Sequence, residues 1–375
     1  MDFELLSETA EGCTVAVPAY RVDVTRECDV VEDVLRIYGY NNIELPGGMR
    51  VSINPGEHPD PETVRKDVSE FFTHKGFLEI MNNSLTKSAY YDKLQTYPAA
   101  SLVHLVNPLS ADLDVMRQTL LLGGLEVVSY NIKRQCNALK LYEIGNVYSF
   151  VPKADDPAPG QNLKSYKEQQ NLALFITGPA AKAWRNELCA GHFFQLKGYV
   201  ELLLKRFGAN LYDMECEAAP ADMFAEGLQY KLQGKVLVTM GTVSKALLKQ
   251  FDIKQPVFAA EISWPVLFEL VKRDKVKYKE LPKYPEVRRD LALLLDENVS
   301  YADLRKTAHQ SETGLLRQVS LFDVYRGDKI PAGKKQYALN FVLQNIEQTL
   351  TDADVERIMN KIFKAFEAKH GAVLR

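Results

Sequence analysis

The sequence holds few of the residues that mark a secreted or membrane-bound protein. Its five cysteines (Cys13, Cys28, Cys136, Cys189, Cys216) are odd in number and widely spaced. They form no Cys-x-x-Cys pair, so neither a disulfide framework nor a zinc site is indicated. No apolar run approaches the roughly 18 residues of a membrane span. The start, Met1-Asp2-Phe3-Glu4, is acidic and lacks the basic and apolar blocks of a signal peptide. A reducing cytoplasm is the expected setting. An excess of one charge is missing too: 46 basic against 49 acidic residues leave a net of −3. That excludes a generally basic nucleic-acid binder and confines any RNA contact to a local patch. There is no Gly-x-x-x-x-Gly-Lys-Ser/Thr loop, no Gly-x-Gly-x-x-Gly, no Gly-x-Ser-x-Gly and no His-Glu-x-x-His. The six histidines are scattered. His104, between Val103 and Leu105, reads as a packed strand residue rather than a catalytic base.

What is present is the balance of a folded protein, 46% apolar and 25% charged. At 375 residues the chain exceeds one ordinary core, which predicts two or three domains. Punctuation suggests three segments, at 1–48, 55–270 and 280–375. The proline-rich stretch 51–61 reads as a linker and 152–167 as an exposed loop. The middle segment opens with a helix that Asp60 caps and Pro61 starts, with Val64, Val68, Phe71 and Phe72 on one face. Strands are expected at 139–150, 171–177, 236–242 and 257–263, and a helix at 194–207. In the third segment Leu291, Leu293 and Leu295 alternate in a strand, and Ser300 and Asp303 open a helix. Strands at 319–325 and 336–343 follow. Thr351 and Asp354 open a second helix with the stripe Val355, Ile358, Met359, Ile362, Phe363 and Phe366, and Val373-Leu374 close the order βαββαβ, the split βαβ of ferredoxin-like domains. That fold by itself assigns no function.

Two clusters carry chemistry. Asp23, Asp29, Glu32 and Asp33 lie within eleven residues, at the mouth of an expected helix 30–38. One reading makes Asp29 the helix cap and Glu32 the partner that closes a capping box. The other is a hard-cation site, because magnesium takes carboxylate oxygens. The second cluster is basic: Lys283, Arg288, Arg289, Arg326, Lys329, Lys334 and Lys335. From residue 279 to 375 there are 16 basic and 14 acidic residues, a net of +2. It reads as an ordinary mixed surface or as an RNA face on which Tyr284 or Tyr325 stack with bases.

The residues also carry a resemblance. Val17-Pro18-Ala19-Tyr20-Arg21-Val22-Asp23-Val24, Asp29-Val30-Val31-Glu32-Asp33-Val34 and Arg36-Ile37-Tyr38-Gly39-Tyr40-Asn41-Asn42-Ile43 closely resemble a segment of the bacterial phenylalanyl-tRNA synthetase β-subunit family. Asn107-Pro108-Leu109-Ser110, Met116-Arg117, Tyr142-Glu143-Ile144-Gly145 and Phe194-Gln195-Leu196-Lys197-Gly198 resemble that family's synthetase-like domain. Tyr284-Pro285-Glu286-Val287-Arg288-Arg289-Asp290-Leu291-Ala292, Leu321-Phe322-Asp323-Val324-Tyr325, Gln348-Thr349-Leu350-Thr351-Asp352 and Gly371-Ala372-Val373-Leu374-Arg375 resemble its ferredoxin-fold anticodon-binding domain.

The resemblance implies an α+β chain of three parts: a partial acidic-cluster, winged-helix-like domain (1–48), a class II synthetase-like antiparallel-sheet domain (55–270) and a C-terminal ferredoxin-like βαββαβ domain (280–375). It implies a place in an α₂β₂ ligase that joins phenylalanine to tRNA(Phe) with ATP and magnesium, the α subunit holding the active site. The stretch matching the second class II motif, Glu143-Ile144-Gly145-Asn146-Val147-Tyr148-Ser149-Phe150, has no arginine to clamp ATP phosphates. The glycine-rich third motif is missing as well, so this chain is expected to be non-catalytic. By the same resemblance, Asp23, Asp29, Glu32 and Asp33 stand where the family binds Mg2+ at its α-subunit contact, Asp33 replacing a more common Glu. Arg288, Arg326 and Lys334 are the expected tRNA-binding residues. A full β subunit is about twice as long and starts with tRNA-binding and editing domains. The chain is therefore expected to be a C-terminal fragment that does not edit. The alternative is a stand-alone RNA-binding or structural module from a synthetase-like paralogue.

Overall fold

The computed structural model describes residues 1–44, 48, 52, 59–110, 112–151, 163–178, 191–211, 214–273, 278, 280–327 and 330–375. The expected linker at 51–61 and loop at 152–167 lie largely outside them. The chain divides into two compact units, Met1–Glu57 and His58–Arg375.

The first unit is a hairpin and a helix. Strand β1 (Glu4–Thr9) pairs antiparallel with β2 (Gly12–Ala16), and α1 spans Glu27–Tyr38. The helix starts three residues earlier than the sequence suggests. Its cap is Arg26, and Asp29 is the third helical residue, closing the box by accepting from the Thr25 and Arg26 amides. The expectation that Asp29 caps and Glu32 closes the box is thus corrected. Two acids three residues apart each suit a first turn, and only the backbone path decides between them.

In the second unit, α2 (Pro61–His74) is capped by Asp60, whose carboxylate accepts from Thr63 N at 2.9 Å, and Gly76 leaves it at φ +80°. There follow β3 (Leu78–Glu79), β4 (Leu85–Thr86), β5 (Val103–His104), β6 (Val115–Met116), α3 (Leu121–Ile132), β7 (Leu139–Phe150), β8 (Tyr166–Thr177), α4 (Phe193–Arg206), β9 (Glu215–Ala218), β10 (Phe224–Leu232), β11 (Lys235–Val243), α5 (Lys245–Gln250), β12 (Val257–Ser263) and α6 (Trp264–Arg273). Seven strands form one sheet in the order β3-β7-β8-β12-β11-β10-β9. All pairs are antiparallel except β3–β7. Each inner strand feeds two cores, because alternate residues point to opposite faces. Leu172 and Leu174 of β8 pack under α2, α4 and α6, while Ala173 and Phe175 pack under α3. Gly124 lets α3 approach closely: a Cβ there would sit 1.9 Å from the Phe175 ring. His104 is exposed, so the packed reading of that histidine is corrected; its strand is only two residues long and its side chain points out.

The remaining elements are β13 (Val287–Asp296), α7 (Tyr301–Ser311), β14 (Leu316–Tyr325), β15 (Lys334–Leu343), α8 (Asp352–His370) and β16 (Val373–Leu374), with strand order β14-β15-β13-β16. Both helices carry complete capping boxes, Ser300 with Asp303 and Thr351 with Asp354. The stripe Val355, Ile358, Met359, Ile362 and Phe366 is buried against Leu293, Leu295, Leu339 and Phe341 of the sheet. Arg305 of α7 donates to the Leu211 carbonyl at 3.2 Å, tying this layer to the seven-stranded part.

Candidate functional site

The acidic cluster is held by cations of its own chain. Arg21 donates Nη2 to Asp33 Oδ2 at 2.6 Å and to Asp23 Oδ2 at 3.0 Å, and Arg36 approaches Asp33 Oδ1 at 3.6 Å. Asp33 is buried, Glu32 is exposed, and Asp29 is turned to the backbone amides of Thr25 and Arg26. The Arg21 guanidinium stands between two of the four carboxylates. Among the described residues, no group of three or more acidic, histidine or cysteine side chains is placed to hold a metal.

These contacts set the charge state of the cluster. The two backbone amides hold the Asp29 carboxyl well below the usual carboxylate range, and the Arg21 hydrogen bond lowers that of Asp23. A depressed folded-state value means that the stabilisation is complete above the ordinary carboxylate range and is lost progressively as pH falls from there through the lower folded value. The start of α1 is therefore expected to hold from neutrality to about pH 4 and to fray below. The amide resonances of Thr25 and Arg26 report this in a pH titration. Asp29→Asn should remove the pH dependence, and fraying that persists in that variant would contradict the assignment.

On one face of the seven-stranded sheet, Leu172, Leu174 and Ile176 of β8 lie in the core. The other turns polar beyond Ala173 and floors a cavity of about 650 Å³, with Asn171, Gln169 and Glu261 among its lining. Glu261 is buried and fully engaged. Oε1 accepts from Leu120 N at 3.1 Å and Asn171 Nδ2 at 2.8 Å, and Oε2 accepts from Tyr97 OH at 3.2 Å and from the Thr119 hydroxyl. Burial, with the Glu261 charge beside it, pushes the Tyr97 phenol well above its ordinary value, so it stays a donor. The second buried carboxylate, Glu143, accepts from Arg117 Nη1 at 2.6 Å, Asn82 N at 3.1 Å and Asn82 Nδ2 at 2.7 Å. Arg117 also donates Nε to the Asn146 carbonyl at 2.8 Å, so it faces inward and not toward a ligand. Gly145 is required beside it, since a Cβ would lie 2.4 Å from Arg117 Nη2. Both buried carboxylates are held by several donors of the chain, four on Glu261 and three on Glu143, as buried polar groups of a fold are.

The third sheet has one face under α7 and α8 and one open. On the open face Asp290 pairs with Asn340 at 2.7 Å and Gln336 with Arg375 at 2.6 Å. Phe322, at an irregularity in β14, is 60% exposed, with Val324 and Tyr325 nearby on the same strand. The expected tRNA-binding residues are split. Lys334 pairs with Asp296 at 3.4 Å and Arg326 with Glu297 at 2.6 Å, both at one end of β13. Arg288, paired with Glu286 at 2.6 Å, lies eight residues away at the other end, about 26 Å distant at strand rise. Lys335 is buried, donating to the Glu297 carbonyl at 2.8 Å over the Tyr337 ring, and drops out of the basic patch. Lys329 lies outside the described residues. Tyr284 is half-buried. Sequence reasoning missed Phe322 as an exposed aromatic, although alternation from Val319 and Leu321, which pack into the core, already turns it to the open face.

Comparison with known proteins places these parts. Residues 1–40 match the tRNA synthetase B5 domain, 48–264 the phenylalanyl tRNA synthetase beta chain CLM domain, and 282–375 the ferredoxin-fold anticodon binding domain. The phenylalanine–tRNA ligase beta subunit of Bacteroides thetaiotaomicron is 46% identical over all of this chain and 46% of its own length. Those of Porphyromonas gingivalis (44% identical, 99% of this chain, 45% of the relative) and Geobacillus kaustophilus (33%, 96% and 44%) are similar too. The chain spans about half the length of the curated relatives it matches. A solved pyrrolysyl tRNA synthetase from Desulfitobacterium hafniense aligns at a TM-score of 0.41 with 12% identity, covering 56% of this chain and 66% of the other, too distant a likeness to carry an argument. With one family's beta-chain domain covering more than half of the sequence, flanked by that family's two other domains in order, this chain belongs to the phenylalanyl-tRNA synthetase beta-chain family.

Proposed function

We propose that this chain is a non-catalytic part of a phenylalanine–tRNA ligase, supporting an α subunit and holding tRNA(Phe) through its C-terminal domain. The observation that carries the reading is identity of 46% along the whole chain to a beta subunit of that ligase. The engagement of Glu143 and Glu261 supports it, since both buried carboxylates of the seven-stranded sheet are taken up by donors of the chain itself. In this reading ATP and Mg2+ act at the α subunit, in an α₂β₂ assembly of the cytoplasm. The chain divides at 1–48, 55–270 and 280–375 into a winged-helix-like piece, a class II synthetase-like scaffold and an anticodon-binding domain. Asp23, Asp29, Glu32 and Asp33 hold Mg2+ in this reading where the α subunit docks against them; in the chain alone Arg21 takes up Asp23 and Asp33. Arg288, Arg326 and Lys334 supply phosphate contacts from the two ends of the third sheet.

Co-purification with the matching α subunit, followed by tRNA charging, tests the assignment. Within the complex, Arg288→Ala is expected to weaken tRNA binding and to lower the slope of log K against log salt by about 1. An unchanged slope returns Arg288 to a surface pair with Glu286. Charging by the α subunit at full rate without this chain would overturn the scaffold role.

A further inference from the structure

On the flank of the seven-stranded sheet, a groove of about 430 Å³ runs beside α5. Its floor is apolar, with Val243, Leu248 and Ile253 buried and Pro256 at the edge. Its rim carries Lys245, Lys249 and Lys254, all exposed. The one acid in the lining, Asp252, is paired with Lys133 at 3.5 Å. Among the described residues, none of the three rim lysines has an acidic partner within ion-pair distance.

Local stability does not account for this arrangement. Lys249 sits in the last turn of α5, where a cation suits the carbonyl end. Lys245 occupies the first helical position, beside the unbonded amides, where a positive charge is disfavoured. Three cations without acidic partners around one groove, in a chain of net charge −3, repel each other. A local rule broken without a compensating contact marks a surface adapted to something outside the fold.

We propose that this groove docks the phosphodiester backbone of RNA, as a contact surface additional to the C-terminal sheet; the proposal rests on the tRNA reading above. The lysines take the phosphates, and a ribose or base face lies against Pro256 over the apolar floor. Lysine is a flexible point charge without the planar fork of arginine, so the contact positions RNA without reading its sequence.

The test uses the full 375-residue chain and the triple variant Lys245→Ala/Lys249→Ala/Lys254→Ala. Two probes are titrated across salt: a tRNA(Phe) transcript and an oligouridylate of about 12 nucleotides. The substitutions are on exposed side chains, and circular dichroism checks the fold. The variant is expected to bind both probes more weakly, with each salt slope reduced by about 2. A variant that binds both as the parent does overturns the proposal. If in that case Arg288→Ala still weakens tRNA binding, the anticodon-domain reading stands without the groove. A parent that ignores tRNA but binds the oligouridylate through the three lysines keeps the groove and removes the tRNA reading. A parent that binds neither probe overturns both.

Discussion

Arg117→Ala should lower the stability of the seven-stranded part by about 3–5 kcal/mol, because it leaves Glu143 as an uncompensated buried charge. Both side chains are nearly closed to solvent, at 6% and 1% exposure. The two Asn82 donors remain after the substitution, but hydrogen bonds alone do not offset a full charge at that depth. The loss also frees the Asn146 carbonyl and opens the space that Gly145 leaves for the guanidinium. Thermal unfolding followed by near-ultraviolet dichroism should show a melting temperature lower by roughly 10 °C. Adding Glu143→Leu to Arg117→Met should restore much of the loss, since an apolar pair of similar volume needs no charge compensation. If Arg117→Ala stays within about 1 kcal/mol of the parent, water reaches Glu143 and the pair behaves like a surface bridge.

The second large effect is expected at Phe366. It is fully buried in α8, with its ring centroid 6.2 Å from that of Phe341 on β15. Truncation to alanine removes the aromatic contact and leaves a cavity between helix and sheet, at a cost of about 3–5 kcal/mol. A domain of this size has about 5–15 kcal/mol in total, so Phe366→Ala should melt the four-stranded layer ahead of the seven-stranded one. Limited proteolysis should cut first within 287–374 while the middle strands stay protected. Cleavage that begins in the seven-stranded part instead would mean that the two layers unfold as one.

That layer was also the most legible in the sequence. Its helices announce themselves by capping boxes, and the α8 stripe repeats at helical spacing, so local signals and tertiary packing agree. Strands β7 and β12 fall at the predicted limits, because their apolar runs are bounded by polar turns. Strand β10 was missed. Glu226, Gly227 and Gln229 break its alternation, and Gly227 is required by the close approach of the Met240 carbonyl, 2.5 Å from where a Cβ would stand. The start of α1 moved because Asp29 serves equally as a cap or as the box partner of a cap three residues earlier. At the candidate sites, the motifs were visible but their roles were not. Arg117 and Glu143 are 26 residues apart, and only the fold brings them together. Arg21, the cationic partner of Asp23 and Asp33, stands two residues before the first of them, yet sequence cannot tell a counter-ion from a neighbour of a metal. Lys245, Lys249 and Lys254 read as unremarkable surface lysines until α5 and the turn after it set them around one groove.

The outer strands of the seven-stranded sheet bear on how the chain behaves in concentrated solution. At one edge β9 is four residues long and carries Glu215 and Glu217. At the other, β3 is two residues long, and β7 beyond it is met by the loop before α3, where Tyr148 N donates to the Arg117 carbonyl at 2.8 Å. The long, apolar β8, β11 and β12 are all interior. Short or charged margins offer little template for a neighbouring copy to add a strand, so the sheet is guarded against edge-to-edge polymerisation.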